Sequence, residues 1–149
     1  MKSRISAIIF FLYTILYPYD INIEIITTND LHGNIAPQKA WFMNPGFPPD
    51  IVGGAGLMKY IESSRETSES EILIFDGGNF FQGHPYGMSD GGKKMIEWMN
   101  QISYTALVPG ENDFVLGQKN LNNLANQANF PFLMSNLVCD NCDLKSKNI

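Results

Sequence analysis

The chain reads as an α/β fold built on a parallel sheet, and three observations predict it. From residue 23 onward, apolar β-branched runs alternate with segments of helical periodicity. The run Ile72-Leu73-Ile74-Phe75 is continuously apolar and bounded by turn residues, which suits a strand covered on both faces. Each apolar run also ends in glycine or polar residues, and in open α/β sheets functional groups gather at the carboxyl ends of the strands.

Taken in order, residues 23–27 form the first strand. Residues 36–52 hold five Pro or Gly together with Trp41 and Phe42, and read as a long loop. Gly53-Gly54-Ala55-Gly56 opens a helix whose apolar face is Leu57, Met58, Tyr60 and Ile61, while residues 63–71 are polar and suit a helix end with an exposed turn. Residues 72–75 are the second strand. Residues 93–102 place Met95, Ile96, Trp98, Met99 and Ile102 at helical spacing. A third strand at 104–108 ends at Pro109-Gly110. A helix at 118–129 turns Leu121, Leu124 and Ala125 inward, and residues 130–134 are a fourth strand ending at Ser135-Asn136. Strands joined by helices in this way imply right-handed crossovers.

A chain of 149 residues is one domain with a real core. Its net charge of -5 argues against a general nucleic-acid binder, which carries a basic stripe. Metal-phosphate chemistry stays open, because bound cations supply positive charge that side chains lack. Lys2, Ser3 and Arg4, then the apolar stretch 5–17, then Pro18 have the order of an export leader. The stretch is shorter than the roughly 20 residues that span a bilayer. Residues 1–19 are therefore read as an export signal or N-terminal anchor, the only part expected to meet a membrane. Cys139 and Cys142 offer two of the four ligands a structural zinc needs, so residues 139–149 are read as a tail.

Four strand ends carry polar groups: Asn29/Asp30/His32, Asp76/Gly77/Gly78/Asn79, Gly110/Glu111/Asn112/Asp113 and Ser135/Asn136. On one sheet edge these line a pocket with carboxylates and amides. Asp30 and His32, two residues apart, can reach one metal ion from a single turn, as ligands that suit zinc, manganese or iron.

Thr28-Asn29-Asp30-Leu31-His32-Gly33, Gly53-Gly54 before a helix, Asp76-Gly77-Gly78-Asn79-Phe80-Phe81-Gln82-Gly83, the stretch 110–117 and Phe130-Pro131-Phe132-Leu133-Met134-Ser135-Asn136 resemble, in series, the motifs of the 5′-nucleotidase / UDP-sugar hydrolase branch of the calcineurin-like metallophosphoesterases. The resemblance runs over about residues 22–138 and gives residues 20–138 as a partial metallophosphoesterase domain. It implies a four-layer α/β sandwich, of which this chain holds about the first half, with two divalent ions (Zn, Mn or Fe) at the strand ends. It also implies a phosphoric-ester hydrolase acting on nucleotides or nucleotide sugars, and the leader makes it exported: periplasmic, extracellular or membrane-anchored by residues 5–17. By the same resemblance Asp30 and His32 are ligands of the first ion.

Other positions depart from the family pattern. Asn79 stands where the family has its bridging Asp, Glu111 where it has an Asn ligand, and Asn112 where a His assists the phosphate in the transition state. The resemblance thus makes Asn79 and Glu111 metal-site residues and Asn112 the catalytic position, with Glu111 a candidate for the oxygen that Asn79 cannot supply. His84 reads as a surface-loop residue. The family's further His ligands and its nucleoside-binding C-terminal domain have no counterpart in this sequence. The alternative reading is an inactive remnant or an exported binding module without turnover. Half a sandwich leaves an apolar sheet face without its partner, and marginal folding or poor solubility is expected.

Overall fold

The computed structural model describes residues 21–135. The expected leader at 1–19, Asn136 and the expected tail with Cys139 and Cys142 lie outside them. A parallel sheet carries the fold. Strand β1 (Ile23–Thr28) pairs along its whole length with β4 (Glu71–Asp76), from Ile23 opposite Glu71 to Thr28 opposite Asp76. The other edge of β4 pairs with β5 (Ala106–Leu107), giving the order β1-β4-β5. A single parallel bridge, Leu107 to Phe132, extends the sheet. Helices join these strands: α1 (Gly54–Thr67), the short α2 (Pro85–Met88), α3 (Lys93–Ile102) and α4 (Gly117–Gln127), with a 3₁₀ turn at Glu111–Phe114. Among the described residues no helix is long and apolar enough to cross a membrane.

The expected strand–helix alternation is present, with three local differences. The long loop contains a two-residue antiparallel hairpin, β2 (Gln38–Lys39) with β3 (Asp50–Ile51), tied by a Lys39–Asp50 ion pair of 2.7 Å. The third strand is shorter than 104–108, because the Thr105 hydroxyl accepts the Ile74 N–H and Pro109 has no N–H to continue the ladder. The fourth strand is reduced to its bridge. Leu107 N–H donates to Pro131 O and Leu133 N–H to Leu107 O, but Asn129 N–H is taken by the Asn100 side chain, which ends the pairing on that side.

Helix α3 buries the five residues its spacing picks out, Met95, Ile96, Trp98, Met99 and Ile102. They share one core with Ile61 of α1, Leu121 and Leu124 of α4, Phe80, Phe81 and the strand residues Ile74 and Leu107. Alternate strand residues point the other way, since successive side chains take opposite faces. On that second face Ile23 and Ile25 are 55% and 62% exposed. Helices therefore cover one face of the sheet, and the edge strand presents apolar side chains on the other.

Candidate active site

Among the described non-glycine residues only Asp30, His32, Asn79 and Ser103 have positive φ. Ser103 ends α3, and the other three are three of the four sequence-predicted metal-site residues, those at the ends of β1 and β4; Glu111, the fourth, is not among them. Left-handed backbone costs on the order of 1 kcal/mol per non-glycine residue and gathers at functional sites. The surrounding chain enforces it. Beyond the strands the two segments run on side by side: Gly77 N–H donates to Thr28 O, Asp30 N–H to Gly78 O, His32 N–H to Asn79 O and Gly33 N–H to Phe80 O, at 2.8–3.0 Å.

This path sets Asp30 Oδ1 3.7 Å from His32 Nε2, with side chains 51% and 41% exposed. The ring is oriented from behind, because Nδ1 lies 2.6 Å from Gln82 O. A carbonyl only accepts, so Nδ1 carries a proton and, in neutral His32, Nε2 presents its lone pair toward the Asp30 carboxylate. That is the tautomer a metal-binding histidine needs.

Position 79 is arranged differently. Asn79 Oδ1 accepts the Asn112 N–H at 3.0 Å, and Asn79 Nδ2 donates to Asp30 Oδ1 at 2.8 Å. Asn29 Nδ2 donates to the other Asp30 oxygen at 2.6 Å. The site therefore unites Asp30, His32, Asn79 and the backbone of Asn112. Glu111 begins the 3₁₀ turn as an exposed residue. His84 caps α2, its Nδ1 accepting from Tyr86 N–H at 3.2 Å.

The donor chemistry separates the two ions that the family resemblance implies. Asp30 and His32 fit as two ligands of one divalent ion: an imidazole lone pair and an anionic oxygen face each other in the open. Asn79 does not fit as a bridge, because it turns an N–H toward Asp30. Among the described residues no group of three or more His, Cys, Asp or Glu is placed to hold a metal.

Asp113 has a larger structural part than its sequence position announces. Fully buried, it accepts Asn79 N–H at 2.7 Å, Phe80 N–H at 3.0 Å and Gly110 N–H at 2.9 Å, joining the ends of β4 and β5. Burial pushes its carboxyl up, and backbone N–H groups oppose that shift. All three of these partners are donors, so the turn is built around the ionised form. The spacing Gly110-x-x-Asp113, a carboxylate three residues after a turn start, was its one sequence signal.

Asp76 is also buried, accepting Thr28 Oγ1–H at 2.5 Å and Gly78 N–H at 2.8 Å. Tyr104 OH lies 2.9 Å from Thr28 Oγ1. Burial pushes the Tyr104 hydroxyl up, so it stays protonated and donates to Thr28. Burial likewise raises the Asp76 carboxyl from 3.8 to about 6. A carboxyl raised by folding stabilises the fold fully below its unfolded pKa and loses that contribution as pH rises through the folded one. Wild-type stability is therefore expected to fall by about 1–3 kcal/mol between pH 4 and 7 relative to Asp76→Asn, whose amide buries no charge. Parallel urea titrations of the two proteins across that range check it; a constant difference would contradict the assignment.

No family model matches the chain. It is 27% identical over 116 residues to a snake venom 5′-nucleotidase of Gloydius brevicauda, covering 77% of this chain and 20% of that protein. It is 25% identical over 135 residues to the 5′-nucleotidase of Bos taurus, covering 90% and 23%. The chain thus spans about a fifth of the length of these curated relatives. In fold it is similar to a 5′-nucleotidase precursor from Thermus thermophilus, with a TM-score of 0.65 at 24% identity over 73% of this chain and 21% of that one. It is also similar to a calcineurin-like phosphoesterase of Bacillus subtilis, with a TM-score of 0.57 at 25% identity over 73% and 35%. The chain is thus similar in sequence to a part of several 5′-nucleotidases and in fold to a part of solved 5′-nucleotidase and calcineurin-like phosphoesterase structures.

Proposed function

We propose that this chain is part of an exported, divalent-metal-assisted phosphoric-ester hydrolase acting on nucleotides or nucleotide sugars. The observation that carries the reading is the strained, solvent-open pairing of Asp30 with His32, with the imidazole lone pair facing the carboxylate. The nucleotidase relatives supply the substrate class, and the basic and apolar order of residues 1–19 supplies the export leader, followed by the partial domain at 20–138. A divalent ion, when bound, polarises a phosphoryl oxygen and brings the pKa of water down to about 7. Asp30 and His32 hold it, and Gln82 O keeps the ring in its ligating tautomer. Asn112, whose N–H is committed to Asn79, has its side chain left to meet the phosphate; Glu111 stands exposed at the same turn.

The full chain is expected to release phosphate from AMP when Mn²⁺ is added, and His32→Ala to reduce release by about 100-fold. The amide of Asn79 on Asp30 favours a second reading, an exported module that binds without turnover. Nucleotide binding by equilibrium dialysis with no phosphate release under Mn²⁺, Zn²⁺ or Fe²⁺ would replace the hydrolase by that module. Neither binding nor release would overturn both.

A further inference from the structure

We infer that the Asn79 carboxamide takes the place of a second cation, so that this chain binds at most one divalent ion, through Asp30 and His32. The inference rests on the metal-binding reading of that pair, and it departs from the two-ion centre the resemblance implies. Its basis is the orientation of one amide. Asn112 N–H is a donor 3.0 Å from Asn79 Oδ1, and turning the amide over would set N–H against N–H. The oxygen is thereby fixed on Asn112, and Nδ2 is fixed on Asp30 Oδ1 at 2.8 Å.

A carboxylate in that place would bring a second anionic oxygen about as close to Asp30 as Nδ2 is now, an arrangement that needs a cation to relieve it. The amide removes the need, because its N–H supplies the positive end of a dipole where an ion would otherwise sit. Both Asp30 oxygens then have amide donors, from Asn79 and Asn29. The same side chain also ties the β4 junction to the 3₁₀ turn through Asn112. The junctions are thus joined by hydrogen bonds that need no ion between positions 30 and 79. His32 takes no part in this network. Its Nε2 lies 3.7 Å from the same Asp30 Oδ1 that accepts the Asn79 amide, and a single ion is received between that ring nitrogen and the carboxylate.

Asn79→Asp separates this arrangement from a two-ion site, and Asn79→Ala controls for loss of the hydrogen bonds. The full chain and both variants are dialysed against Mn²⁺, bound metal is counted, and Tm is followed with and without the ion. Wild type is expected to hold no more than one Mn²⁺ per chain. Metal-free Asn79→Asp is expected to melt about 5 °C or more below wild type, and to recover that loss in Mn²⁺ while binding one more ion than wild type. Asn79→Ala is expected to melt lower with no added ion. Two ions bound by wild type, or an Asn79→Asp protein whose Tm and metal count respond as wild type does, would overturn the inference. Wild type that binds none while Asn79→Asp gains one supports the substitution by Asn79 and removes the ion from the proposed hydrolase, so the two readings fail separately.

Discussion

Asp113→Ala is expected to lower the unfolding free energy by about 3–5 kcal/mol, because it strands three backbone donors at once. Asn79 N–H, Phe80 N–H and Gly110 N–H all end on its carboxylate, and Phe80 N–H and the carboxylate itself are buried. A buried donor left without a partner costs about 1–3 kcal/mol. Relief from burying a charge returns part of that cost, so the net loss is less than the sum of three. Asp113→Asn tests the charge apart from the shape. Its amide keeps the volume but turns an N–H toward at least one backbone N–H, and a loss of about 2–3 kcal/mol is expected. Urea unfolding followed by tryptophan fluorescence reads both values. If either substitution costs under about 1 kcal/mol, the low end of that range, Asp113 does not hold the junctions together. The effect reaches the site, since Asn79 N–H is one of the three donors and Asn79 positions Asp30.

The contrast between what the residues announced and what they concealed follows from the range of the forces involved. Helix α3 was legible because Met95, Ile96, Trp98, Met99 and Ile102 repeat with the period of one helical face, a local property. Strand β4 was legible because its apolar run is short and bounded by turn residues. Strand β5 and its neighbour were read too long, since their ends are decided by Thr105 Oγ1 on Ile74 and Asn100 on Asn129, contacts that span 31 and 29 residues. The hairpin Gln38–Lys39 with Asp50–Ile51 gave no alternation to read, being two residues on each side.

The site divides in the same way. Asp30 and His32 were found because two ligand types stood two residues apart at a strand end. Asn79 was found only through its place in a motif series. Its actual task, donating to Asp30 while accepting from Asn112, depends on residues 49 and 33 positions away. Gln82 was invisible as a site residue because it acts through its backbone carbonyl, which every residue type possesses. Asp113 looked like one more polar turn residue until three N–H groups were found on it.

Gly78→Ala is expected to cost about 3–5 kcal/mol, the other large single effect at the strand ends. Gly78 has φ 100°, and a Cβ there would lie 2.2 Å from Gly110 N and 2.6 Å from Val108 O. Both are backbone atoms of the neighbouring junction, which cannot swing away as a side-chain tip can. Moving Gly110 would pull its N–H off Asp113, so the overlap and the loss of that bond arrive together. Gly117 provides the comparison, with φ 79° and nothing within 4 Å of the corresponding Cβ. Gly117→Ala should therefore show the left-handed strain alone, about 1 kcal/mol. The difference between the two variants in urea unfolding measures the close approach of the β4 and β5 ends. Equal losses would mean that Gly78 is required for its backbone angle and not for that approach. A larger loss at Gly78 would mean that the distance between the junctions, and with it the placement of Asn79 against Asp30, is fixed by backbone meeting backbone.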